Sequence, residues 1–134
     1  MKFAGIVLHA SFVHFPIALF CFEFFLMLLW RLRGNAEYKS AARMAFLGAY
    51  VMLFGAVASG YFDAGGEIKD LFVGGVKPHF FSVLVLFAIS TGRLILTRLR
   101  RESPDRGWAE LLGPALTVAA VAVTAYWGGE LVYP

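Results

Sequence analysis

Four long apolar blocks divide the chain, each closed by charged and turn-forming residues. The first covers about 3–30 and stops at Arg31-Leu32-Arg33-Gly34-Asn35. The second covers about 41–62 and stops at Asp63-Ala64-Gly65-Gly66. The third covers about 78–97, opening at Lys77-Pro78-His79 and closing on Arg98, Arg100 and Arg101. The fourth covers about 108–127, after the turn Ser103-Pro104-Asp105-Arg106-Gly107 and before the break expected at Gly128-Gly129. Each block approaches the roughly 20 residues that cross a hydrocarbon layer. Helices are the natural form for such segments, because each satisfies its backbone groups within itself. Pro78 suits a helix start, where its missing N–H needs no partner. The pattern predicts an all-α integral membrane four-helix bundle, one domain over 1–134, running up-down-up-down through short connections.

Composition agrees with a lipid solvent. Of 134 residues, 60% are hydrophobic and only 16% charged, against about a quarter charged in a soluble domain. So small a soluble protein has too little interior to hide four such blocks. The basic residues cluster at block ends, so the positive charge points to membrane topology, with no nucleic-acid partner. Arg31, Arg33, Lys39, Arg43, Arg98, Arg100, Arg101 and Arg106 lie at one end, and Lys2, Lys69 and Lys77 at the other. The positive-inside rule makes the first end cytoplasmic. The N-terminus, the 63–78 loop and the C-terminus then face the periplasm of a bacterial inner membrane. The first block is too long for a signal-peptide core and is expected to be a retained span.

Small residues at helical spacing predict close packing in lipid. Span two carries Ala45, Gly48, Ala49, Gly55 and Ser59, and span four carries Ala115, Ala119 and Ala122. The Phe and Leu content of spans one and three reads as lipid contact and packing. Cys21, inside an apolar run, reads as a buried, inert thiol.

The chemistry concentrates in a few polar residues. Polar groups at membrane depth are costly, which makes them functional candidates. His9 and His14 lie in the outer half of span one, and His79 opens span three. The two spans run parallel and would be diagonal partners, so the imidazoles face each other across the bundle axis. Two histidines on facing helices form the axial ligand set of a b-type haem. His79 is one expected ligand and His9 or His14 the other. These last two are five residues apart and point about 140° apart on a helix. Glu23 follows His9 by fourteen residues, and Arg93 follows His79 by the same number. That is close to four turns, so pairing His9 with His79 brings Glu23 level with Arg93 as a structural ion pair. His14 sits deeper, beside the backbone bond that Pro16 removes. The choice between them stays open on sequence alone.

Asp63, Glu67, Asp70 and Glu130 add carboxylates at the histidine end, so that His9, His79, Asp63 and Glu130 offer an alternative ion site. Lys69, Lys77 and Tyr61 lie where haem propionates would sit. No phosphate-binding loop, dinucleotide fingerprint or nucleophile elbow is present.

The stretch 8–19 contains Val13-His14-Phe15-Pro16-Ile17-Ala18-Leu19. Span two ends Ser59-Gly60-Tyr61-Phe62-Asp63, span three brings His79, and the last motif is Gly128-Gly129-Glu130-Leu131-Val132-Tyr133. In this order they resemble a bacterial family of predicted membrane proteins, domain of unknown function 2231. The resemblance covers nearly the whole chain. It implies four spans and marks the three histidines, Asp63 and Glu130 as the matching polar positions. Its members look like small redox-associated membrane modules, but the family name carries no activity. Ala10 stands where the family usually has proline.

The expected function is a membrane electron-transfer subunit. It would bind haem b, with a quinone as a further candidate cofactor, and exchange electrons with quinol or a periplasmic or membrane redox protein. With few groups for bond-making, it is expected to be no enzyme by itself. Two alternatives from other classes are a non-catalytic anchor or assembly subunit, self-associating or in a larger complex, and a small metal or proton transporter.

Overall fold

The structure, a computed structural model, describes residues 2–100 and 107–132, and among these the side chains of residue 9 and of residues 11–100 and 107–131. The turn expected at 103–106, together with Arg101, Tyr133 and Pro134, lies outside the described residues. Four α-helices account for almost the whole: α1 Lys2–Arg33, α2 Ala36–Asp63, α3 Val76–Leu99 and α4 Ala109–Val132. A short 3-10 turn, Ile68–Phe72, precedes α3. By length and composition all four helices can cross a membrane.

The helices run past the apolar blocks at several ends. Only Gly34 and Asn35 separate α1 from α2, so Lys39 and Arg43 belong to a helix and not to a loop. Gly34 takes a φ of 76°, the left-handed conformation that ends helices and that glycine adopts without strain. Asn35 then caps α2 by accepting from the Glu37 N–H at 2.9 Å, which satisfies one of the donors a helix start leaves unpaired. At the other end of the chain, α4 continues through Gly128 and Gly129 to Val132. The break expected there does not occur. Gly128 is instead a point of close packing, as the site geometry makes plain.

Packing order follows the connections. α1 packs closely on α2 and also on α4, α3 packs on α4, and α2 meets α3 only slightly. Spans one and three therefore stand on the diagonal. Gly48 faces α1, where a Cβ would make an ordinary contact with Leu19 at 3.5 Å. Ala45 and Ala49 are buried on the same helix. On α4 the expectation fails. Ala115, Ala119 and Ala122 face outward, while Leu111, Pro114, Thr117 and Val121 face inward. Small size does not by itself choose the inner face; on α4 a polar partner for α3 does, and Thr117 supplies it.

The bundle centre is apolar. Phe20, Phe46, Ala49, Leu53, Leu86 and Val121 form one buried cluster. Leu26, Met27, Trp30, Ala42 and Leu111 form a second toward the arginine-rich end. The outer surface is apolar too, with Phe15, Phe22, Phe25, Val51 and Leu116 exposed, as lipid-facing helices require. Cys21 lies on this exposed surface and not in the interior, because an apolar run marks both faces of a helix in lipid. At the arginine-rich end, the Arg31 guanidinium lies 4.7 Å over the Trp108 ring and the Lys39 ammonium 4.4 Å over Trp30. Cation–aromatic pairs of this kind suit the membrane interface.

The two helical hairpins share one burial register. His79 and Arg93 follow His9 and Glu23 by seventy residues each. Phe20 and Ser90, at the same offset, are both fully buried, as are Ala49 and Thr117, which stand sixty-eight residues apart on α2 and α4.

Candidate functional site

Two polar layers interrupt the apolar core, one at each end of that shared register. The first is the histidine layer. His9 on α1 and His79 on α3 meet edge to face, with ring centres 6.5 Å apart and planes at 85°. Each ring is held by the other helix of its own hairpin. His9 Nδ1 lies 2.9 Å from Ser59 Oγ on α2. The Ser59 hydroxyl gives its single proton to the Ala56 carbonyl at 3.0 Å, so it accepts from His9 and fixes the proton on Nδ1. His79 Nδ1 lies 3.1 Å from the Thr124 carbonyl on α4, which can only accept. Both neutral rings therefore carry the Nδ1 proton and leave the Nε2 lone pair to another partner.

Glycine makes room for each ring. A Cβ at Gly60 would stand 2.9 Å from His9 Cε1, and one at Gly128 would stand 3.1 Å from His79 Cε1. A side chain at Gly60 would force the His9 ring to shift, and one at Gly128 would require the His79 ring to give by a few tenths of an ångström. Gly60 on α2 thus does for His9 what Gly128 on α4 does for His79.

The second layer lies fourteen residues along each helix, about 21 Å at 1.5 Å per residue. Arg93 Nη1 donates to Glu23 Oε2 at 3.1 Å, and Nη2 pairs with Glu23 Oε1. Nη1 also donates to Thr117 Oγ1 at 2.8 Å, and that hydroxyl passes its proton to the Gly113 carbonyl at 3.1 Å. The guanidinium carbon lies 4.5 Å over the Phe46 ring. Arg93 thus touches all three other helices. Glu23 is 3% exposed and the Arg93 side chain 16%, so the carboxylate is shielded from lipid and water and the two charges neutralise each other. Forked pairing of this kind is the strong form of a carboxylate–guanidinium contact. Gly113 again provides the space, since a Cβ there would come within 2.9 Å of Arg93 Nε.

Of the remaining candidates, Asp63 lies within electrostatic reach of His9. His14 lies on an exposed face of α1, turned away from the His9–His79 pair by its five-residue offset. Asp63 and Glu130 are exposed near the histidine end. Among the described residues, no three His, Cys, Asp or Glu side chains gather into a metal-binding group. The Tyr61 hydroxyl donates to the Gly66 carbonyl, and Lys69 pairs with Glu67 at 2.7 Å, so both are engaged within the 63–76 connection.

Ser59, Gly60, Thr117, Thr124 and Gly128 carry the site beside the titratable residues. Sequence reading took Ser59 for a packing residue and Gly128 for a helix breaker. One signal was present: Gly60 follows His9, and Gly128 follows His79, by nearly equal intervals.

A multi-pass membrane protein with a histidine pair at one level and a neutralised ion pair at another is the class these observations define. The chain belongs to the family described as predicted membrane protein, domain of unknown function 2231, whose model matches residues 5–134. No curated protein matches the chain, and no solved structure does.

Proposed function

We propose that this protein is a membrane electron-transfer subunit that binds one b-type haem through His9 and His79. The observation that carries the reading is the pair itself: two imidazoles on diagonal helices, each anchored at Nδ1, with ring centres 6.5 Å apart. A metal held between the two imidazoles would sit about 2 Å from each ligating nitrogen and set the ring centres roughly 6 Å apart, so the spacing supports His9 and His79 holding one group, with the edge-to-face rings turning to aim both Nε2 atoms at it. Anchoring also fits. Metal-bound histidines as a rule give their other N–H to a carbonyl or similar acceptor, which fixes the tautomer and raises ligand basicity. The ligand count favours haem over a bare ion. A structural zinc site wants four protein ligands, whereas haem would bring nitrogen ligands of its own and would ask only for His9 and His79 from the chain.

Haem supplies reversible one-electron chemistry when bound. The chain's residues do the rest. Ser59 and the Thr124 carbonyl keep the Nδ1 protons in place. Gly60 and Gly128 admit the rings, and the apolar cluster around Phe20 and Leu86 keeps water from the bundle centre. The excess of Arg and Lys at the other end makes the histidine end periplasmic in a bacterial inner membrane. Electrons would then pass between quinol in the bilayer and a redox protein at the periplasmic surface. The test is purification from haem-replete cells in mild detergent, with a haem assay and addition of a quinol. One haem b per chain, reduced by quinol, is the expected result. A colourless protein would overturn the reading in favour of an anchor or assembly subunit.

A further inference from the structure

The connection between α2 and α3 exposes more apolar surface than a loop in water needs. Ile68 is 70% exposed, Val73 64%, and Phe72 is half exposed, all within or just after the 3-10 turn Ile68–Phe72. Single exposed residues of this kind are ordinary, but a cluster marks contact with another protein or with a membrane. The charges of the segment are matched within it. Lys69 pairs with Glu67 at 2.7 Å, and Asp70 folds its carboxylate back against Gly65. The backbone is held at both ends as well. The Gly66 N–H donates to the Tyr61 carbonyl at 3.1 Å, and the Val76 N–H to the Val73 carbonyl at 3.2 Å.

What covers the exposed side chains follows from where they lie. The Phe72 ring stands edge to face with Phe80 at 5.5 Å and with Phe81 at 6.2 Å, both on α3. Phe81 begins a row of exposed apolar side chains that continues along α3 through Leu84 and Val85, about one helical turn further on. α3 is long and apolar enough to cross a membrane, and this row belongs to its lipid-facing surface. The exposed side chains of the 3-10 turn extend that surface past the start of the helix. A partner protein arriving from water would leave Ile68 and Val73 wetted whenever it was absent, whereas lipid covers them from the moment the chain is inserted. Apolar side chains beside matched charges suit the boundary between headgroups and acyl chains.

We infer that the turn lies in the membrane interface at the histidine end, with Ile68, Phe72 and Val73 seated among the acyl chains of that leaflet. The partner is the phospholipid bilayer, met through its apolar part. His79 enters α3 three residues after the helix begins, so a turn held at this level fixes the His9–His79 layer close beneath the headgroups. The inference does not depend on what the histidines bind.

The experiment is spin labelling of the full chain in phosphatidylcholine vesicles. Cys21→Ala removes the one native cysteine, which lies on the exposed surface, and Ile68→Cys, Val73→Cys or Glu67→Cys then carries a nitroxide. Collision rates are read with oxygen, which concentrates among acyl chains, and with a water-soluble nickel chelate. The labels at positions 68 and 73 are expected to show an oxygen-to-nickel ratio several-fold above that of the label at position 67. Equal ratios at all three positions would overturn the inference by placing the turn in water. Protection of positions 68 and 73 from both reagents would also overturn it, assigning the surface to another protein or to a second copy of the chain.

Discussion

Arg93 reaches across the bundle diagonal to Glu23 with both terminal nitrogens, so one side chain ties the two hairpins together in their most buried polar contact. Removing one partner strands the other charge where neither water nor lipid can accommodate it. Arg93→Leu is therefore expected to destabilise the bundle by about 3–5 kcal/mol, while Glu23→Leu with Arg93→Leu should cost much less. Reversible unfolding in mixed detergent micelles measures both. Equal losses in the single and double variants would show that the pair contributes through shape and not through charge.

Thr117 extends the same network by accepting from Arg93 and donating to Gly113. Thr117→Val keeps the volume and deletes the acceptor. A hydrogen bond to a charged group contributes about 1.5–3 kcal/mol, and a loss in that range is expected, with Thr117→Ser retaining most of the stability. The same micelle unfolding assay distinguishes the two variants.

Gly60 and Gly128 lie so close to His9 and His79 that a methyl group at either would press on an imidazole. Overpacking of this size costs about 1–3 kcal/mol. Gly60→Ala and Gly128→Ala should therefore lower stability and displace their histidines. Gly129→Ala should do neither, because nothing lies within 4 Å of a Cβ there. Thermal unfolding together with the haem content of the purified variants checks the contrast.

Ser59 holds the His9 ring by accepting its Nδ1 proton. Groups that orient a metal-bound histidine are commonly worth 10- to 100-fold in affinity, so Ser59→Ala should weaken haem binding by roughly that factor without unfolding the bundle. Haem titration of apoprotein in detergent gives the ratio. An unchanged affinity would leave Ser59 as a packing residue only.

Span number was legible because lipid imposes a length rule on single segments, and the diagonal placement of α1 and α3 because short connections make successive helices neighbours. The level of the polar layers was legible too. Equal fourteen-residue intervals on two parallel helices bring Glu23 level with Arg93 once His9 is set level with His79. What sequence left open was set by contacts between helices. Sequence offered opposing arguments for His9 and His14; Ser59 and Gly60 on α2 engage the first, and the helical offset turns the second outward. The inner face of α4 was misjudged because alanine packs equally well against lipid and protein, whereas Thr117 has to meet Arg93. Gly128 looks like a helix stop in isolation, and only the ring of His79 beside it shows why a glycine stands inside a helix.

The most direct test of the histidine pair is a reduced-minus-oxidised absorption spectrum of the wild type and of His9→Ala, His14→Ala and His79→Ala, each purified in mild detergent. Sharp b-type bands in the wild type and in His14→Ala, lost or converted to a high-spin form in His9→Ala and His79→Ala, are the predicted result. Bands that survive in His9→Ala and vanish in His14→Ala, or that are absent from the wild type, would contradict the assignment.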